Sequence, residues 1–446
     1  MVRVYYIISS LRSLLRVNEK ERKLVPQIRK AILNRYRDGA IWFTLANAIP
    51  PLGGILLGSI NLRIIGLEDY AILSLAGYFY VMALAYSDFG GYSHLLAAFT
   101  TKSPGRFGDF GNALVLKGVI LSAFLAALGG WAWAYPRNDD LYALLAFSML
   151  ALVFPAMFLE WFFIARNAHF DLFKARVLMF ASQLVLTLAW LASGWKSPLF
   201  VPLIGVTAAG VTSIYMARRF GIDRISRGLA AVRNASLPAM RTLIFRLAPV
   251  MVSQLTYPYF LAYSLPWYSM TASDPKDIGA FSIGYRMIMG MLALVGSFVF
   301  FNMPRSPDPR GRISIGRTVV SSALASAFLW AAGLPVMYYY YWISNTDFAM
   351  FSRTLGPFSI LMIAIFCNAL RIHLVGRCLV MGRYRIFLLI HVLACAPTFL
   401  LSIVAGDRFP SAWVPWFSVL PDVLATAGFM LWDRSQARAG IVTKAG

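Results

Sequence analysis

Residues 41–91 read IWFTLANAIPPLGGILLGSINLRIIGLEDYAILSLAGYFYVMALAYSDFGG, and their pattern returns 208 positions later. In that register Pro50 falls on Pro258, Asp69 on Asp277, Ser74 on Ser282 and Ala85 on Ala293. The second copy lies in RTLIFRLAPVMVSQLTYPYFLAYSLPWYSMTASDPKDIGAFSIGYRMIMGMLALVGSFVFF, residues 241–301. Each copy is a Pro-interrupted apolar helix, a short polar loop holding an Asp, and a second long apolar helix. The identities are few, but helix breaker, loop and restart keep one ungapped register. Matching Pro/Gly-interrupted spans in two halves of a chain mark a transporter's substrate path. The chain reads as a duplicated membrane transporter.

Composition points the same way. Of 446 residues, 59% are apolar and only 13% charged, and the mean hydropathy is +0.65; a soluble domain of this size carries far more charge. The three cysteines, Cys367, Cys378 and Cys395, sit in apolar segments at spacings that fit no zinc or redox motif, so buried packing is expected of them. A net charge of +22 would suggest nucleic acid in a soluble protein. Its distribution assigns it to membrane topology instead, and no nucleic-acid partner is expected.

Apolar segments fall at 41–62, 70–97, 112–134, 141–165, 172–193, 198–217, 243–266, 278–303, 318–342, 355–376, 385–404 and 412–432. Strict alternation from an inside N-terminus, with Lys174, Arg176, Arg246, Arg371 and Arg385 near segment ends counted with the adjoining inside loops, puts 33 of the 41 Lys and Arg on one side and 6 on the other, leaving Lys117 and Arg286 within spans. A missed span would scramble that bias. The fold expected is all-α integral membrane: about twelve transmembrane helices in two pseudo-symmetric six-helix bundles. Residues 1–40 form a basic cytoplasmic arm on anionic lipid or a disordered tail, 41–217 the first bundle, 218–242 a basic linker, 243–432 the second bundle and 433–446 a cytoplasmic tail. The run Val4–Leu15 is broken by Arg12 and lacks a cleavage site, so it is not a signal peptide. The location implied is a bacterial inner (plasma) membrane, multi-pass, with both termini cytoplasmic. No loop is long enough for a nucleotide-binding domain, and no phosphate-binding Gly loop, HExxH, CxxC or nucleophile elbow occurs. The chain is expected not to be an enzyme and to hold no cofactor or metal. Transport would draw on H⁺, Na⁺, the membrane potential or the substrate's own gradient.

Two passages carry a family resemblance. LRIIGLEDYAILSLAGYFYVMALAYSDFGG, with a Gly-x-x-x-aromatic loop and the Asp88-Phe89-Gly90 step, resembles the first-to-second-helix region of polysaccharide exporters and Wzx-type lipid-linked oligosaccharide flippases. DIGAFSIGYRMIMGMLALVGSFVFFNMPR is similar to that family's eighth helix, with an Arg in its outer half and a Pro at its cytoplasmic end. The wider group is the multidrug/oligosaccharidyl-lipid/polysaccharide superfamily, and the resemblance implies two six-helix bundles facing a central cavity. It covers helices 1, 2, 7 and 8, and the remainder by count and topology alone.

A charge within a span costs roughly 2.5–3.5 kcal/mol on insertion scales and should face a cavity or a partner. Arg286, eight residues into the eighth segment, is either a cavity cation for the phosphates of a lipid-diphosphate sugar or a paired or snorkelling Arg. Arg246, Arg371 and Arg63 are the further candidates for substrate binding, and Arg377 reads as a positive-inside anchor. Asp88 and Lys117 read as an ion pair, with Asp88 as a coupling site in the alternative; Glu160 is a paired carboxylate or a proton carrier. His94, His373 and His391 each suit an interhelical hydrogen bond or a protonation switch. Pro50 and Pro51, and Pro249, Pro258 and Pro266, should bend helices 1 and 7 as gates, and Gly54-x-x-x-Gly58 suits a close helix contact. Tyr338–Trp342 reads as an aromatic interface belt.

The function implied is a flippase that moves a polyprenyl-diphosphate-linked oligosaccharide, an O-antigen or exopolysaccharide repeat unit, across the plasma membrane by alternating access. The alternatives are a cation-coupled multidrug antiporter of the same superfamily and a membrane-embedded glycan polymerase or glycosyltransferase. An antiporter would want acids deep in helix 1 or 7, and neither 41–62 nor 243–266 has one. A polymerase would want a catalytic outer loop, and the outer loops are short, with Asp139-Asp140 as an acidic pair among them. The partners implied are the lipid-linked glycan, membrane lipid and other glycan-assembly proteins, with the chain acting as a monomer.

Overall fold

The computed structural model describes residues 19–88, 95, 96, 98, 99, 106–134, 139–154, 159–233, 235–302, 315–344, 349–380, 383–405 and 408–438. Among them helix is the one regular secondary structure, as a bilayer requires of a chain that must satisfy its own backbone groups. The first half holds α1 (Glu19–Ile65), α2 (Leu67–Asp88), α3 (Arg106–Ala134), α4 (Asp139–Leu150), α5 (Glu160–Ala165), α6 (His169–Ser193) and α7 (Phe200–Phe220). A connecting helix, α8 (Ile222–Arg233), leads to the second half. There follow α9 (Leu237–Thr271), α10 (Pro275–Asn302), α11 (Ile315–Ser344), α12 (Ala349–Val380), α13 (Tyr384–Ala405) and α14 (Val414–Arg438). Each of the twelve apolar segments falls largely on helix where it is described, and among the described residues eight helices are long and apolar enough to cross a membrane. Their outward faces stay apolar: Val404 is 84% exposed and Phe328 72%, which water would penalise and lipid would not.

Three departures from the sequence reading have local causes. Helix α1 runs unbroken from Glu19 through Gly39 and Pro50-Pro51 to Ile65, so residues 19–40 are helical and continuous in sequence with the first span. The stretch 141–165 is not one helix. After α4 a single 3₁₀ turn, Ala151–Val153, gives way to extended backbone at Phe154 (φ −78°, ψ 139°), because the residue before a proline, here Pro155, is pushed out of the helical region. The 218–242 linker is also largely helical: Gly221, with φ +97°, turns the chain from α7 into α8, a conformation that glycine adopts without strain. Gly66 (φ +84°) makes the equivalent turn between α1 and α2, with its N–H bonded to the Leu62 carbonyl at 2.9 Å. Residues 1–18, 439–446 and His94 lie outside the described set.

Neighbour relations in the first half recur in the second. As α1 packs on α6, α9 packs on α13; as α2 packs on α4, α10 packs on α12; as α6 packs on α7, α13 packs on α14. The crossings between halves follow the same rule. Helix α1 meets α10 and α11 while α9 meets α2 and α3, and α2 meets its own counterpart α10.

The core shows where the halves join. One cluster takes Leu62, Tyr70, Ala76 and Leu144 from the first half and Leu265, Phe281, Ile288, Met337, Tyr341 and Phe358 from the second. It lies toward the membrane face that carries the Gly66 turn and the Ala272–Asp274 turn, here the turn face. Toward the opposite, basic face the clusters belong to one half each: Phe110, Trp161, Phe162, Met216 and Phe220 in the first, and Leu374, Cys378, Phe387, Phe429 and Trp432 in the second.

Glycines allow the cross-half approach. A Cβ on Gly279 would lie 2.5 Å from Leu67 Cδ1 and 2.9 Å from its carbonyl oxygen, and one on Gly290 2.9 Å from Pro51 Cβ. Pro51 is thus part of a helix crossing. In α1 the tight positions are Gly53, against Phe180, and Gly58, against Tyr70 and Tyr340, whereas Gly54 is open. Overpacking of this kind costs about 1–3 kcal/mol. Gly279→Val should therefore lower the thermal unfolding midpoint by several degrees, while Gly118→Val, where nothing lies within 4 Å of the new Cβ, should leave it unchanged.

Candidate functional site

The positions Gly279, Ser282, Arg286 and Gly290 follow one another at helical spacing along α10 and share one face, which crosses α1 and α2 of the other half. On α2, Tyr70, Ser74 and Gly77 make the matching face. Ser74 Oγ lies 3.2 Å from Ser282 Oγ. These two residues are equivalents in the repeat, so the pseudo-twofold relation between the halves passes between them. Ser74 donates to the Tyr70 carbonyl at 2.7 Å, and Ser282 to that of Gly279 at 2.7 Å.

Arg286 sits in this seam, half-buried. Its Nη2 donates to Ser74 Oγ at 3.1 Å, and its guanidinium carbon lies 4.6 Å from the centre of the Tyr70 ring. Above it, the Tyr70 hydroxyl meets that of Tyr340 on α11, both buried. With α10 starting at Pro275, Arg286 lies about 16 Å along the helix at 1.5 Å per residue, deeper than the span boundary read from the sequence implied. A stacked cation contributes up to about 2 kcal/mol when desolvated and a hydrogen bond from a charged group about 1.5–3 kcal/mol. Together these offset the roughly 2.5–3.5 kcal/mol that an intramembrane charge costs, so Arg286 can be held there without a carboxylate. Among the described residues it makes no salt bridge. A guanidinium carries five N–H groups, which leaves donors for an anion.

No family model matches the sequence, and no curated protein matches it. Solved structures do. An inward-facing multidrug resistance MATE family transporter of the MOP superfamily aligns with a TM-score of 0.65 at 15% identity, over 90% of this chain and 96% of that one. The outward-facing form of such a transporter aligns at 0.62 and 14%, over 92% and 96%. A MOP superfamily transporter from Pyrococcus furiosus, described as having a binding pocket of reverse polarity that suggests a different function, aligns at 0.61 and 14%, over 92% and 97%. The chain has the MATE transporter fold. At these identities the likeness concerns fold alone, and the Wzx-type subfamily within it is not distinguished.

Within the MATE fold the other expected residues disperse. Arg371 does not face the seam. It is 2% exposed and bonded through Nη2 to Asp422 of α14 at 3.0 Å, inside the second half. Burial of a guanidinium at that depth demands a carboxylate, and Asp422 supplies it. Around this pair lie Thr426, which donates to the Asp422 carbonyl at 2.7 Å, and the buried Cys367 and Cys395. Glu160 pairs with Arg176 of α6 at 2.5 Å, and so acts as a strut between α5 and α6. Arg63 is exposed in the last turn of α1 and makes none of the seam's contacts. Lys117 is half-buried on α3; the side chains of Asp88, Arg246, Pro249, Pro258, His373 and Arg377 lie outside the described set. His391 is buried, with Nδ1 2.9 Å from the Phe387 carbonyl one turn earlier and its ring 5.3 Å from that of Phe429 on α14. The aromatic run on α11 divides: Tyr338, Tyr339 and Trp342 face outward as a belt would, but Tyr340 and Tyr341 are buried in the joint core. No group of His, Cys, Asp or Glu among the described residues is placed to hold a metal ion.

Sequence reasoning passed over Asp422 and Tyr70, and read Tyr340 as part of the interface belt. Asp422 carried a signal, since an acid within the apolar segment 412–432 needs a cation, and Arg371 was the intramembrane Arg left to find it. Truncating one member of a buried pair costs about 3–5 kcal/mol, whereas replacing both with apolar residues is close to neutral. Asp422→Ala and Arg371→Ala should each sharply reduce the yield of folded protein, and Arg371→Met with Asp422→Leu should restore most of it, measured by size-exclusion chromatography and thermal unfolding in detergent.

Proposed function

We propose that the protein translocates a polyprenyl-diphosphate-linked oligosaccharide between membrane leaflets, with Arg286 gripping the diphosphate in the seam between the halves. The observation that carries this reading is a cation stacked on Tyr70 and bonded to Ser74, without a carboxylate among the described residues. A guanidinium binds phosphate oxygens with a planar fork, and stacking on Tyr70 would hold that fork in one orientation. The MATE fold supports transport by two halves that part in turn at either face, and the P. furiosus example, with its pocket of reverse polarity, supports the idea that the fold serves cargoes of different charge. In this reading the basic face is cytoplasmic, both termini lie there, the membrane is a bacterial inner membrane, and other glycan-assembly proteins supply the substrate.

Cation-coupled multidrug antiport is the second reading, and the fold serves it equally well. The buried Arg371–Asp422 pair favours it, because a carboxylate released from its Arg could exchange a proton or Na⁺.

One substitution separates the two readings. Arg286→Ala should reduce glycan export, or flipping of a lipid diphosphate in proteoliposomes, by tenfold or more, with insertion unchanged; Arg286→Lys, which keeps the charge but not the fork, should fall between. Normal flipping in Arg286→Ala would remove the phosphate grip, and energy-dependent efflux of cationic dyes by the wild type would establish the antiporter.

A further inference from the structure

At the basic face the first half gathers four guanidiniums around two phenylalanine rings. Arg166, at the end of α5, lies 5.1 Å from the centre of the Phe162 ring, and Arg224 of α8 lies 5.3 Å from the same ring. Arg106, which opens α3, and Arg227 of α8 lie 5.6 and 5.9 Å from the Phe107 ring. None of the four forms a salt bridge among the described residues; the nearby Asp171 is engaged by Arg219 at 3.6 Å. Arg224 is fixed further by a bond from Nη1 to the Phe220 carbonyl at 2.7 Å. Burial, and then the like charges of Arg166, Arg227 and Arg106, lower its proton affinity.

The frame beneath this cluster is rigid. Helix α8 is clamped to the start of α3 at two glycines: a Cβ on Gly111 would lie 2.8 Å from the Ala231 backbone, and one on Gly228 2.5 Å from the Phe110 ring. Trp161, 1% exposed, braces Phe99, Phe110 and Phe162 from below. Four like charges are thus held together by the packing of the fold, with no salt bridge to any of them among the described residues and Asp223, beside Arg224, as a partial countercharge. A guanidinium carries five N–H groups, and contact with a ring leaves donors on each of the four for phosphate oxygens.

We propose that Arg106, Arg166, Arg224 and Arg227 form a binding site for the phosphate headgroup of an anionic lipid in the leaflet that meets the basic face. The cluster stands where span ends emerge, at the first residue of α3 and just beyond the last residue of α7, which is headgroup depth. Basic pockets between helix ends bind acidic lipid headgroups in this way. The bound lipid offsets part of the cluster's charge and adds a further tie between α8, the connector between the halves, and the first half. This site holds whatever the seam carries.

The full chain, purified in neutral detergent, would be titrated with dioleoylphosphatidylglycerol and followed by thermal unfolding and by native mass spectrometry of retained lipid. The lipid should raise the unfolding midpoint by several degrees and saturate near one molecule per chain, while phosphatidylcholine should not. Arg166→Gln with Arg227→Gln should weaken the half-saturating concentration tenfold or more, and Lys196→Gln with Arg408→Gln, on the turn face, should titrate as wild type. Should the double variant fail to fold, Arg166→Gln alone, an exposed side chain whose one described contact is the Phe162 ring, should still weaken binding several-fold. An unaltered titration in the Arg166 variants, or an equal loss in the turn-face control, overturns the site. Reproduction of the full shift by inorganic phosphate alone overturns the assignment to lipid.

Discussion

The guanidinium of Arg286 against the ring of Tyr70 joins two halves of the chain that otherwise build much of their cores separately. Its surroundings follow from the needs of one charge inside a membrane. The charge requires a ring and an oxygen to offset its insertion cost, and Tyr70 and Ser74 supply them from a single face of α2. Those partners must come within reach, so the α10 positions on either side, Gly279 and Gly290, lack side chains. The hydroxyl of Tyr70 then needs a partner of its own, which Tyr340 supplies from the inward side of α11.

Much of this was legible in the sequence. The 208-residue shift that aligned Ser74 with Ser282 by identity finds its physical counterpart in their 3.2 Å contact, because a residue beside a twofold axis meets its own equivalent. Helix positions were legible from apolar length, and Arg286 from being a charge where none is cheap. What the sequence withheld were relations between helices. Nothing near Arg371 in the chain announces Asp422, which is 51 residues away, and nothing in Tyr338–Trp342 says which rings turn inward until the helix has neighbours on one side. The break at Phe154 was readable from the proline that follows it, but an apolar run of spanning length concealed it.

The two buried arginines solve one problem in different ways. Arg371 is neutralised by a carboxylate and closed off by cysteine and threonine, an arrangement that favours holding helices together. Arg286 rests on a ring and a hydroxyl and keeps donors to spare, an arrangement that favours a visiting anion. Composition counts both simply as intramembrane arginine; the difference lies in what the neighbouring helix offers.

Helix α1 has a mechanical consequence. Its 47 residues extend for about 70 Å at 1.5 Å per residue, more than twice the roughly 30 Å of a bilayer's oily interior. The part inside the bilayer crosses α10 at Pro51 and Gly290, and the rest continues as unbroken helix to Glu19. Motion at that crossing is magnified along the longer arm of the helix. From Pro51 to Glu19 is about 48 Å at that rise, so a swing of about 10° at the crossing sweeps the free end through roughly 8 Å, and rearrangements too small to notice among packed helices would be written large in the surrounding solution.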